Sequence, residues 1–205
     1  MRIKRLCVAG GMLLALGSAA AEARDFERLL RGDYAFTGEA TCLQSASGFN
    51  ANLTPVVAPG SFPTIVSFSV HGVRTFNGDG TGTLRATVVN LNHPFALPTT
   101  PPLFVRGGAG SNDLHGEFTY DVAHDLTLTI VAGPITGTFL TGTRAGQTLT
   151  VTNVPDFRGK IAEHLDGITL AHEEPSVETL TLSTGEVVQR ICHRSRILLE
   201  RKNRR

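Results

Sequence analysis

The chain has 205 residues, 41% of them hydrophobic and 18% charged, with a formal net charge of +1. That is enough for one domain that buries most of its apolar surface. Basic side chains are not spread over a face with aromatics between them, which argues against a nucleic-acid partner, and only residues 6–20 approach a membrane span, too short and too Gly/Ala-rich to be one.

Residues 1–23 read as an export signal: Arg2, Lys4 and Arg5 precede the charge-free run, and Ala21-Glu22-Ala23 fits a small-x-small cleavage site. The mature chain is expected to start near Arg24 and to fold in a secreted or periplasmic setting, where disulfides persist. Losing Arg2, Lys4, Arg5 and Glu22 leaves 16 Lys/Arg against 17 Asp/Glu. Basic residues then crowd the last dozen positions, so 201–205 read as a solvated basic tail and 24–200 as the single domain. Of the three cysteines, Cys7 falls in the signal. Cys42 and Cys192 remain as a pair in an oxidising compartment, and a bridge between them is expected. Its loop of about 150 residues is worth up to roughly 5 kcal/mol in the chain-entropy picture. Bridged cysteines have Cα atoms within about 7 Å, so the first and last strands must be neighbours.

Along the mature chain, helical spacing occurs only over Asp25–Arg31, where Phe26, Leu29 and Leu30 predict a short turn of helix. Period-two alternation then takes over. Tyr34–Gln44 is the first strand. Val66, Phe68 and Val70 alternate with Ser67, Ser69 and His71, and Asn77-Gly78-Asp79-Gly80 is a hairpin turn. The return strand puts Leu84, Ala86 and Val88 on one face. Leu114, Phe118, Tyr120 and Val122 share a parity, and Leu126, Leu128 and Ile130 return after Ala123-His124-Asp125. Shorter strands are expected over 134–140, 147–152, 157–162, 167–171 and 176–183, and a last one from Glu186 to Leu199. Residues 45–63 and 91–113, rich in Pro and Gly, read as long connections at one barrel mouth. This is an all-β chain of about eight to eleven antiparallel strands, an up-and-down β-barrel or a β-sandwich. The cysteine pair favours the barrel, with Phe36 facing Leu198 and Ala40 facing Arg194.

Gly32-Asp33-Tyr34 on the first strand, with Arg190, Arg194 and Arg196 on the last, resembles the calycin (lipocalin-like) arrangement, in which an Arg of the last strand covers a Trp of a Gly-x-Trp. Tyr34 stands in the Trp position here. The Phe76–Gly82 hairpin and the Ile191–Arg196 strand also resemble those of small secreted proteobacterial proteins of unassigned function. The resemblance implies a barrel with an apolar cavity. On parity, Arg190 and Arg194 are placed to stack on Tyr34 or Phe36.

Chemical motifs are sparse. The histidines lack His-Glu-x-x-His spacing, no Cys-x-x-Cys or Gly-x-Ser-x-Gly is present, and no metal, cofactor or catalytic residue is expected. Arg74 shares the parity of Val66, Phe68, Val70 and Phe76. Either it points inward and needs an acidic partner or a ligand anion, or a β-bulge at Gly72 turns it outward. The expected role is binding a small apolar or amphipathic molecule, with Tyr34, Phe62, Phe68, Arg74, Phe95, Phe104 and Tyr120 as ligand-site candidates and Phe62, Phe95 and Phe104 at the entrance. The rivals are a barrel enzyme of isomerase or cyclase type and an outer-membrane β-barrel. Against the latter stand the Arg204-Arg205 end and the scarcity of aromatics, 6% of residues, for two girdles. Nothing in the pattern fixes an oligomeric state.

Overall fold

Period-two alternation commits most of this chain to strands with one buried face. The computed structural model describes residues 26–59, 62–97, 103–105 and 107–201, with the backbone alone over 95–97 and 103–105. The strands are β1 (Arg31–Ser45), β2 (Thr64–Asn77), β3 (Thr81–Asn92), β4 (Phe95–Leu97), β5 (Leu103–Val105), β6 (Gly108–Val122), β7 (Thr127–Thr141), β8 (Thr148–Thr152), β9 (Phe157–Ile161), β10 (Gly167–His172), β11 (Val177–Leu182) and β12 (Val187–Glu200). Tyr34, Phe36, Ala40 and Cys42 of β1 are buried, while Asp33, Thr37, Glu39 and Thr41 between them are exposed.

All but β4 and β5 belong to one antiparallel sheet, ordered β1-β2-β3-β6-β7-β8-β11-β12, and β12 pairs back with β1. This closes a ring of eight strands, so the fold is barrel-like and not a two-sheet sandwich. The closing ladder sets Phe36 opposite Leu198, Ala40 opposite Arg194 and Cys42 opposite Cys192. Those cysteines are bridged, with Cα atoms 4.1 Å apart.

The up-and-down order has one departure. Between β7 and β12 two strand pairs stack end to end: β9–β10 against Thr127–Ile130 and Ser195–Leu199, and β8–β11 against Ile135–Thr138 and Val187–Ile191. The strand expected over 134–140 is therefore the second half of one long β7. Pro134 is tolerated because it lies where β7 exchanges β9 for β8, within a register shift at which Gly133 and Pro134 together face Glu117 of β6. No ladder bond is lost for want of its N–H.

The 91–113 connection is also more ordered than its composition predicts. β4 pairs with β5, and Gly108, Ala109 and Gly110 extend β6 by pairing with Asn92, Leu91 and Asn90. Within 45–63, Phe49 bridges Pro55, and the Val56 N–H donates to Gly48 O at 2.9 Å. Both connections leave from the same end of the ring, where β1 ends and β6 begins. That end is open.

The opposite end is packed shut. Leu30, Tyr34, Phe76, Phe118, Tyr120, Leu128, Ile130, Ile168 and Leu198 form one buried cluster. The Phe26–Leu30 turn, with Leu29 and Leu30 N–H groups donating to Phe26 and Glu27 carbonyls, caps it. Leu30 is buried, whereas Leu29, grouped with it by spacing, faces outward. Arg201 N–H donates to Asp33 O at 2.9 Å. Residues 1–25, which include the expected export signal, and residues 202–205 lie outside the described residues. Among the described residues no helix is long and apolar enough to cross a membrane.

Candidate functional site

In the open half the same inward positions carry smaller or more polar side chains, and a cavity of about 470 Å³ remains. That is within the usual range of small-molecule sites, about 300–1,000 Å³. One side of its wall is apolar, formed by Leu84, Ala86 and Val88 of β3, Leu114 of β6, Ile135 and Phe139 of β7, Leu149 and Val151 of β8 and Leu180 of β11. The rim is polar and small, with Gln44, Thr64, Asn90, Asn92, Gly107–Gly110 and Thr141–Arg144. Arg144 is paired there with Glu186 at 2.6 Å.

The other side, where β12, β1 and β2 adjoin, is cationic. Alternation along β12 brings Arg190, Arg194 and Arg196 to the face that carries Cys192 and Leu198. Arg190 Nε and Arg194 Nη2 both donate to Oε1 of Glu178, a fully buried residue of β11. Burial opposes ionisation of that carboxyl, but Arg190 and then Arg194 outweigh it and hold the pKa at about 2. Glu178 shares the parity of Leu180 and Leu182; that parity was the sequence signal for it, and only the fold brings it to the two arginines. Arg190 and Arg194 also lie 5.8 and 5.7 Å from the Phe68 ring, which is where they stack, and not on Tyr34 or Phe36.

Arg196 depends on a glycine. A Cβ on Gly38 would lie 2.2 Å from Ser195 O and 2.5 Å from Arg196 Cδ. Without it, the Arg196 side chain lies across β1 and donates from Nη1 to Glu39 O at 2.9 Å and Ser195 O at 2.7 Å. Burial, then Arg194 and Arg74, lower its pKa to about 9.

Arg74 points inward. The ladders run unbroken through Gly72, with Phe36 on one side and Ala86 on the other, so no bulge turns Arg74 outward. A Cβ at Gly72 would sit 2.1 Å from Arg85 O, which makes the glycine a requirement of close strand approach. Arg74 is 4% exposed and lies 5.8, 5.1 and 5.3 Å from the rings of Phe36, Phe118 and Phe157. Its Nε has no hydrogen-bond partner among the described residues. Burial alone lowers its pKa, to about 10, and it stays charged at neutral pH.

Of the residues expected at a ligand site, Phe68 and Arg74 line the cavity. Tyr34 and Tyr120 lie in the closed-end core. The Tyr34 hydroxyl donates to Leu165 O at 3.2 Å; that of Tyr120 accepts from Gly78 N–H at 3.1 Å and lies 3.0 Å from the Glu27 and Leu30 carbonyls. Phe62 is half-buried and does not line the cavity. Phe95 and Phe104 sit on the β4–β5 pair, and their side chains lie outside the described residues. Cys42, Glu178 and Cys192 place three acceptor atoms within 4.8 Å of one another, but both sulfurs are joined as cystine and offer no thiolate to a metal. Among the described residues, arginine is the ionisable side chain that lines the cavity. Its wall supplies fixed positive charge beside apolar surface and no group that exchanges protons near neutral pH.

No family model matches this chain, and neither a characterised protein nor a solved structure matches it.

Proposed function

We propose that this is an exported barrel that holds a small apolar or amphipathic molecule inside its open half, in the manner the calycin resemblance implies. The observation that carries the reading is the cavity of about 470 Å³, apolar along one wall, rimmed by polar residues and bounded below by the packed aromatic core. Two further features support it over its rivals. An isomerase or cyclase needs an acid–base pair at the reacting atoms, and the described wall offers arginines. An outer-membrane barrel presents an apolar band to lipid, whereas the outward positions here include Asp33, Glu39, His71, Arg85, Asp113, Glu117 and Asp121. The Cys42–Cys192 bridge is compatible with the oxidising compartment to which residues 1–23 would deliver the chain.

The test is binding of a neutral apolar fluorophore, N-phenyl-1-naphthylamine, to the mature protein. Binding at about micromolar affinity is expected. Leu114→Trp, which fills the cavity from β6, should abolish it without lowering the melting temperature by more than a few degrees. A wild type that takes up no apolar probe overturns the reading.

A further inference from the structure

We infer that the cavity takes an amphiphile bearing an oxyanion, a carboxylate or a phosphoryl group, whose head seats at the inner end between Arg74 and Arg196 while its apolar part lies along β6, β7 and β8. This rests on the cavity being a ligand site. Charge comes first. Arg74, Arg190, Arg194 and Arg196 line the interior, and Glu178 is the carboxylate that meets any of them among the described residues. Buried charges are costly unless paired, and a ligand bearing negative charge offsets that cost where an apolar one does not.

Hydrogen bonding points the same way. Arg74 Nε and Arg194 Nη1 are buried donors with no partner among the described residues. Guanidinium forks match the oxygens of carboxylate and phosphate, which accept two parallel N–H bonds. Placement then selects the seat. Arg74 and Arg196 lie 5.3 and 5.7 Å from the same Phe157 ring, and both line the cavity. Arg196 is fixed by the Glu39 and Ser195 carbonyls across Gly38. Along β2, Thr64 is at the mouth and Arg74 is ten residues deeper, next to the aromatic core. The head therefore enters first, with apolar wall beside it.

The simplest contrary account is that three rings cage Arg74 as a structural cation. Displacement of the naphthylamine probe from the mature protein by dodecanoate, dodecyl phosphate and dodecanol separates the two. One or both anions are expected to bind at least about tenfold tighter than the alcohol, and the tighter of the two identifies the head group. Arg74→Gln should remove most of that preference while leaving dodecanol within about twofold. Arg196→Gln is the second variant should the first fail to fold. Arg74→Met, which removes an unpaired buried charge, should melt at or above the wild-type temperature without ligand. If the alcohol binds as tightly as both anions, the oxyanion inference falls and the cavity reading survives. If neither anion displaces the probe, the oxyanion inference falls alone; if the probe itself does not bind, both fall. A marked drop in the melting temperature of Arg74→Met, with the anion preference intact, would make Arg74 a structural pin and overturn the seat.

Discussion

The two halves of the ring are built from the same long strands and the same alternation, yet one is solid and the other hollow. At the closed end Tyr34, Phe76, Phe118 and Tyr120 meet with ring centroids 5.0–6.3 Å apart, and both tyrosine hydroxyls are satisfied by backbone groups. In the open half the inward positions of β12 and β1 include Arg190, Arg194, Arg196, Gly38 and Ala40, and those of β3 include Leu84, Ala86 and Val88. Large rings converging on one axis fill a barrel; small side chains leave space, and charged ones oppose collapse because their desolvation needs compensation. A cavity here is thus a matter of which residues occupy the inward register.

The strongest way to break this comparison is at the seam the halves share. Replacing Cys42 and Cys192 by Ser should cost about 3–5 kcal/mol, given a bridge spanning 150 residues, read as a lowered urea midpoint. A cost below about 1 kcal/mol would mean that the β1–β12 ladder holds the seam unaided. Ellman titration of the unfolded, unreduced protein should find no free thiol from the pair.

Truncation sharpens the contrast. Phe76→Ala in the closed end should cost about 3–5 kcal/mol, the range for a fully buried ring, while Phe68→Ala beside the cavity should cost under about 2 kcal/mol. Equal losses would show that the open half is packed as tightly as the closed one.

Acid should act through the polar interior, since the aromatic core has nothing to titrate below neutrality. His172, at the end of β10, packs against Phe157 with the rings tilted by 55° and centroids 4.2 Å apart. Burial, then Arg194, lowers its pKa to about 4, so from pH 6.5 downward the unfolded chain takes up a proton that the native state refuses, and stability falls until about pH 4. Glu178, held at about 2, contributes stability that is complete above its ordinary value of 4.5 and is lost as pH falls toward 2. The windows adjoin. Melting temperature should therefore decline from pH 6.5 to 2, and His172→Gln should flatten the upper part alone. A wild-type profile already flat between pH 6.5 and 4 would mean that the His172 ring is solvated.

At the rim the effect should be least. Arg144 and Glu186 are paired at 2.6 Å but about a third to a half exposed, so Arg144→Ala should cost below about 1 kcal/mol in thermal melts. A larger loss would show that the rim, and not the closed end, anchors the open half.

Local chemistry alone determined most of the strands, the two hairpins and the β1–β12 register, because alternation has a fixed period of two and a bridge between the first and last strands sets which residues face each other. Residue parity also marked Arg74, Arg190 and Arg194 as inward candidates. What it could not supply was company. Whether Arg74 meets an acid depends on side chains from β1, β6 and β9, far away in sequence, and these turned out to be Phe36, Phe118 and Phe157. Tyr34 and Tyr120 read as ligand-site candidates from parity, yet parity is the same at both ends of a strand, and height along the barrel axis places them in the closed core. Pro134 looked like a strand boundary because the partner exchange that makes it harmless is a property of β8 and β9. Tertiary structure decided which end is hollow and which cations stand there without a counter-charge among the described residues, because packing and charge pairing are set by neighbours across the ring and not along the chain.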